Sequence, residues 1–347
     1  MKCAVSGEKA SGIADLPIVR KLLASQNPSV VYKVRVNVLG ESEGSAPIRN
    51  LKKQIKSSDF VQRLLSHKRA DGTIVTAPHR NQTNPYAKWQ GPHWTLACLA
   101  EIGYPNGDAS LFPMRDQFYD WLLSERHMKM PATLIIPGQE NKVRRCASQE
   151  GNAVWYSLML GLEDERTEVL VNRLKQWQWP DGGWNCDKRP EAQVSSFVES
   201  IIPLRALVLH GRLKGDQESL ITARRAAEML LKRRLYKRQR DGQVINPKFT
   251  LIQYPYYAHY NILFALKVMA EADFVMDERC QDALDLLESK RLPDGGFPLE
   301  KKNYKPADDI VSEGSFVDWG SASKKLSNEF VTADALYVLK EAGRLTS

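Results

Sequence analysis

The chain has 347 residues, a formal net charge of +8, 43% hydrophobic and 26% charged residues. That balance fits a soluble globular protein able to bury a sizeable core, as one large domain or two ordinary ones. No apolar run approaches the roughly 20 residues of a membrane span, and residues 1–14 carry Lys2, Glu8 and Lys9 without an apolar block, so neither a span nor a signal peptide is expected.

Five cysteines (Cys3, Cys98, Cys146, Cys186 and Cys280) are odd in number, widely spread and free of any CxxC pair. They argue against a disulfide framework and for a reducing compartment, with the cytoplasm as the expected location.

In chain order, residues 1–12 read as a flexible tail, and 13–347 as a single domain. Residues 32–38 alternate apolar and polar, a strand-like pattern. The Asn27-Pro28 pair just before them is a helix-start signal. In an otherwise helical chain, helix is the expectation there. Beyond this point the chain is punctuated by Asp-Gly turns at Asp71-Gly72, Asp181-Gly182-Gly183, Asp241-Gly242 and Asp294-Gly295-Gly296. Glycine in such turns takes backbone conformations that other residues resist. The last three lie 60 and 53 residues apart, and the first gap of 110 is twice about 55, with a worn copy of the turn expected over 127–132. A period near 55 leaves room for two helices and their loops.

Each repeat has the same grammar. A helix with apolar residues on one face leads into the turn, over 59–68, 117–126, 166–178, 219–237 and 278–290. A second helix, apolar on most of its surface, follows over 93–102, 151–162, 195–210, 257–271 and 328–341. Helices of the second kind are buried, those of the first half-exposed. Gly103, Gly211 and Gly343 are read as C-terminal stops. Much of the positive charge lies in one run, 232–240. It reads as a solvated helix end suited to the negative end of the helix dipole. Nucleic acid is not expected as a partner, because no nucleic-acid fold signature accompanies the run.

The Asp-Gly-Gly-Trp turn between outer and inner helices, repeated every 50 to 60 residues over about 55–345, resembles the prenyltransferase and squalene-cyclase repeat superfamily. More narrowly, the chain looks like a widespread bacterial group of stand-alone squalene-cyclase-like proteins. The resemblance implies an all-α toroid of five or six helix pairs, with inner helices around a central cavity. It does not bring the superfamily's chemistry with it. The cyclase Asp-x-Asp-Asp is represented only by Ala307-Asp308-Asp309, without its first Asp. A magnesium-binding DDxx(D/E) is approached at Asp308-Asp309, but Glu313 comes one residue late. No Asp-x-Cys unit of the zinc prenyltransferase kind opens an inner helix.

In an alternating ring the inner helices run the same way, so their N-termini gather at one end and aim unpaired N–H groups at the cavity. Two site hypotheses follow. In one, Cys146, Cys186 and His259, with Asp187 or Glu150 or water, hold a catalytic zinc ion. In the other, Glu150, Glu199 and Asp187 supply acid and base, with His93 or His259 as partner and burial raising a carboxyl into the working range. Trp89, Trp94, Trp184, Tyr256, Tyr257 and Tyr260 are the expected substrate-binding aromatics. Trp155 and Phe264 are read as packing. The main functional expectation is an enzyme acting on a hydrophobic, isoprenoid-like small molecule in the central cavity, with zinc as the candidate cofactor. The alternatives are a carbohydrate-active lyase or hydrolase using cavity carboxylates, and a non-catalytic binding scaffold.

Overall fold

The structure is a computed structural model that describes residues 12–76, 78–79, 82–129 and 136–345. Most of the expected tail lies outside these residues, as does the latter half of the expected worn turn at 127–132.

Among the described residues, six inner segments form a ring, which the Lys33–Glu101 ion pair joins between its first two members. They are α2 (Pro28–Lys33, continued by a π-helical turn at Val34–Val38), α5 (Pro92–Glu101), α8 (Ala147–Leu160), α10 (Phe197–Lys214), α12 (Ile262–Glu271) and α14 (Glu329–Glu341). Each packs on the next: α5 on α8, α8 on α10, α10 on α12, α12 on α14, and α14 on α2 and its π turn. The outer layer is built from α1 (Pro17–Leu23), α3 (Ala46–Ser57), α4 (Asp59–Leu64), α6 (Phe112–Leu123), α9 (Glu165–Trp177), α11 (Gln217–Leu231) and α13 (Gln281–Glu288). The short α7 (Glu125–Met128) follows α6. The fold is therefore an α/α toroid of six helix pairs, and one contiguous hydrophobic core runs from Ile18 to Leu345.

Local chemistry explains the boundaries. Asn27, Ser45, Ser58, Asp216, Asn261 and Asn328 each accept a backbone N–H of the first helical turn, satisfying donors that a helix start leaves unpaired. Asp164 and Thr167 form a reciprocal capping box on α9. Inner helices are buried almost all round; in α8 only Met159 escapes full burial. The strand-like alternation at 32–38 resolves into helix, as the Asn27-Pro28 signal requires. Val34 and Val38 are buried on the turn of a π-helix that packs against α14, not on a sheet face.

Gly211 differs from its expected role as a helix end. It lies inside α10, where a Cβ would press on Leu220 of α11, and Gly215 ends the helix with φ +70°. The basic run beyond α11 folds back on local acids. Lys237 and Arg234 pair with Asp282 at 2.7 and 3.3 Å, and Arg240 with Asp241 at 3.0 Å.

Small sheets decorate the loops: Pro78–His79 against Gln82–Thr83, antiparallel, and Lys305–Pro306 beside Gly314–Ser315, parallel. Asp308 and Asp309 lie in the loop between the second pair. Asp308 is exposed and paired with Arg63 at 2.6 Å, so the paired aspartates line no cavity.

Candidate active site

The central turn sets the site. The N–H of Trp179 donates to the Gly183 carbonyl at 2.8 Å, and Gly182 takes φ +103°. The Asp181 carboxylate accepts the backbone N–H of Ser195 at 2.9 Å and its hydroxyl, pinning the turn to the start of α10. The N–H of Trp184 donates to Ser200 Oγ at 3.0 Å. Asp294 repeats the device by accepting the Ser327 hydroxyl at 2.8 Å, while the N–H of Phe297 donates to Thr332. The copies at Asp71 and Asp241 close their own turns, on Thr73 and Gln243, and Asp241 also pairs with Arg238 and Arg240.

Pinned this way, the strand after Trp184 runs past the N-terminus of α8, where Asn185 bridges to Arg144. Cys186 then faces Cys146, the N-cap residue of α8. Glu199, in the first turn of α10, completes the group. One ligand-capable atom from each of Cys146, Cys186 and Glu199 lies within 4.8 Å of the others. Glu199 Oε2 accepts the Ser148 N–H at 2.8 Å, one of the donors that α8 itself leaves unpaired, and Oε1 lies 3.6 Å from Cys186 Sγ. Burial raises the Glu199 carboxyl despite that bond. The Cys146 thiol is raised by its contact with Cys186, by burial and by the charge of Glu199.

Glu150 sits one helical turn beyond Cys146. Its side chain is 2% exposed and its Oε1 lies 3.8 Å from Arg173 Nη1. Burial pushes its carboxyl up to about 7, against the pull of Arg173. Tyr86, which sequence reasoning did not single out, feels the thiols and Glu199: burial and the charges of Glu199 and Cys146 raise its hydroxyl. Nothing in the local sequence marks Tyr86, because a loop brings it there.

Other expected site residues are placed elsewhere. His259 is not among the groups that converge on the thiols. It packs edge-on against Trp89 at 5.3 Å, and burial and Lys88 bring its imidazole down to about 4. The third ligand-capable group is Glu199 instead, because α10 starts beside α8 whereas His259 precedes α12. The Asp187 carboxylate is held by Arg189 at 2.6 Å and lowered to about 2 by that bond, so it staples its own loop. His93 is fully buried against Phe118 with neither ring nitrogen hydrogen-bonded, and burial lowers it to about 3. It remains a neutral ring in an apolar layer and meets none of the carboxylates.

The aromatics divide in the same manner. Trp184 is fully buried and donates to the Leu174 carbonyl; Tyr260 donates to the Leu235 carbonyl beside Phe197 and Phe249. Trp94 donates to the Tyr86 carbonyl, and Trp89 to Asn303 while stacking on Tyr257 at 4.4 Å. These rings are internal struts. Tyr256 and Tyr257 line the ring's lumen, together with Trp155 and Phe264, which sequence reasoning read as packing.

The lumen holds a second feature absent from the sequence expectations. Lys33 from α2 bonds Glu101 of α5 at 2.6 Å and Asp334 of α14 at 2.9 Å. Lys267 from α12 also pairs with both carboxylates, reaching Asp334 at 3.1 Å. Arg205 from α10 meets Glu101 at 3.0 Å and Glu271 at 2.6 Å, and its guanidinium lies 3.8 Å above the Trp155 ring of α8. Three cations and three carboxylates thus balance; five of the six inner segments supply a charge, and α8 supplies the Trp155 ring. Asp334 also accepts the Tyr256 hydroxyl at 2.6 Å. Burial opposes ionisation of Glu101, but Lys267 and Lys33 hold its carboxyl well below the usual range. A half-open pocket is left beside Glu101, Arg205, Trp155 and Tyr257.

No protein-family model matches the sequence, and no curated protein matches it. Solved structures of similar chain course include a polysaccharide lyase (11% identity, 97% of both chains, TM-score 0.47). They also include an unsaturated glucuronyl hydrolase from Bacillus sp. GL1, responsible for the degradation of glycosaminoglycan (13% identity, 96% of this chain and 95% of that one, TM-score 0.39). A type II terpene cyclase from Scytonema is more distant (16% identity, 82% of this chain and 96% of that one, TM-score 0.26). At these identities the likeness concerns the fold alone. No helix among the described residues is long and apolar enough to cross a membrane.

Proposed function

We propose that the chain is an enzyme that cleaves a bond in a polar, carbohydrate-like substrate at the mouth of the ring, with Glu150 moving the proton. The observation that carries this reading is the mouth itself. A buried carboxyl, Glu150, stands one turn from Cys146, and Cys146 meets Cys186 and a second carboxyl, Glu199, where two inner helices begin. Hydrolysis and β-elimination both need a group that can give or take a proton near neutral pH. Glu150, with its carboxyl raised by burial, suits that task.

The isoprenoid reading has less support from the lumen. Carbocation chemistry uses open aromatic faces. Here Arg205 covers Trp155 and Lys267 stands 5.3 Å over Tyr256, so the faces already carry cations that would repel another. The ion pairs that cross the lumen favour, as a second reading, a toroid that binds without catalysis.

The test is a substrate screen with uronic-acid oligosaccharides and polyprenyl diphosphates side by side. Sugar cleavage that falls by roughly 10²-fold or more in Glu150→Gln supports the proposal. Turnover of the prenyl compounds alone, or sugar cleavage unchanged in Glu150→Gln, overturns it. Binding without turnover in either series supports the scaffold.

A further inference from the structure

We infer that Cys146, Cys186 and Glu199 form a zinc site with one coordination position open at the mouth of the ring. The inference deepens the proposed reading by naming an electrophile at the same site. It is tested without any substrate, so each idea can fail separately.

The geometry is close to what a tetrahedral ion requires. With Zn–S near 2.3 Å and Zn–O near 2.1 Å, ligand atoms stand roughly 3.5 to 3.8 Å apart along the edges of the tetrahedron. Glu199 Oε1 and Cys186 Sγ are 3.6 Å apart, already at that edge, and all three ligand atoms fall within 4.8 Å of one another. Small side-chain rotations close the remaining distance.

The supports behind the ligands also fit. Glu199 Oε2 is tied to the Ser148 N–H at 2.8 Å, which orients the carboxylate and leaves Oε1 to face the thiols, as outer partners of metal ligands do. Asp181, through Ser195, fixes the start of the helix that carries Glu199. Cys146 caps α8 without a side-chain hydrogen bond to the helix, so its sulfur is turned to Cys186 and not to the backbone. Both cysteines are half-buried, so water or a substrate oxygen can reach a fourth position.

Two sulfurs and one oxygen select for zinc over magnesium or calcium, which take oxygen ligands in larger number. Three protein ligands with an open position is the arrangement of catalytic zinc, whereas structural sites are closed by four. A bound substrate carbonyl or water would be polarised there, beside Glu150 and Tyr86.

The experiment is metal analysis of the full chain purified without chelator, together with cobalt substitution. We expect about one zinc per chain. The cobalt form should show thiolate-to-cobalt charge-transfer absorption. Zinc retention should fall roughly tenfold or more in Cys146→Ser, Cys186→Ser and Glu199→Gln. It should persist in His259→Ala, Asp187→Asn and Cys280→Ala. Circular dichroism separates loss of metal from loss of fold. If the cysteine variants do not fold, Glu199→Gln and the cobalt spectrum of the unaltered chain still decide. A folded chain that takes up no zinc at micromolar concentration overturns the inference. So does a Cys146–Cys186 disulfide in a protein that binds no metal when reduced, or full zinc retention in the Cys146→Ser, Cys186→Ser double variant.

Discussion

Glu150→Gln separates burial from ion pairing at the candidate site by the sign of a pH effect. The carboxyl is 2% exposed and lies 3.8 Å from Arg173. Burial favours the neutral acid, whereas a backbone hydrogen bond and Arg173 favour the carboxylate; burial wins, and the group moves from the ordinary 4.5 to about 7. At 1.36 kcal/mol per pH unit that displacement corresponds to roughly 3 kcal/mol. Below pH 4.5 both the folded and unfolded chains hold the proton, and the residue costs nothing. As pH rises from 4.5 to 7 the unfolded chain ionises while the folded chain does not, so stability is lost through that window and stays lost above it. Glutamine cannot ionise in either state. Chemical unfolding of chelator-treated wild type and Glu150→Gln should therefore give near-equal stabilities at pH 4. By pH 8 the variant should be ahead by up to about 3 kcal/mol. Distant groups cancel in the difference. A difference that does not change with pH, or a wild type that gains on the variant as pH rises, would refute the reasoning. Arg173 would then hold the carboxylate ionised, and Glu150 could not be a proton donor at neutral pH.

Two stability predictions test the frame that holds the site. Asp334→Asn keeps the volume but leaves Lys33 and Lys267 without one of their two carboxylates in a region with almost no solvent; breaking a buried pair costs about 3–5 kcal/mol, read as a lowered unfolding midpoint, and a loss below about 1 would mean that water already enters the network. Gly183→Ala places a Cβ 2.7 Å from Ser195 Cβ and 2.8 Å from Met229 Cε and drives it into Ser200 Oγ; overpacking of this kind costs roughly 1–3 kcal/mol, whereas an unchanged midpoint would show that the turn is not clamped to α10.

What could be read from the sequence follows from how each signal is encoded. Turns and helix starts are local chemistry. The Asp181 and Asp294 turns, the Asn27-Pro28 start and the apolar inner helices each announce themselves within a few residues, and together they define the toroid. Residues 32–38 show the limit of periodicity alone, since a π turn buried in a ring can mimic the alternation of a strand. The candidate site is non-local. Cys146 and Cys186 could be paired in advance because both open onto the same ring end. Their third partner depends on which inner helix stands next to α8, and that is α10 with Glu199 and not α12 with His259. The charge network had a signal that went unused. Lys267 and Asp334 are charges in the middle of helices whose other charges lie at their ends, and Glu101 ends a helix with no other charge; such charges are rarely buried unless paired. Balanced opposite charges on successive inner helices of one ring have each other as their nearest available partners. The same rule that identifies the inner helices by their apolar faces therefore marks their few charges as the lumen.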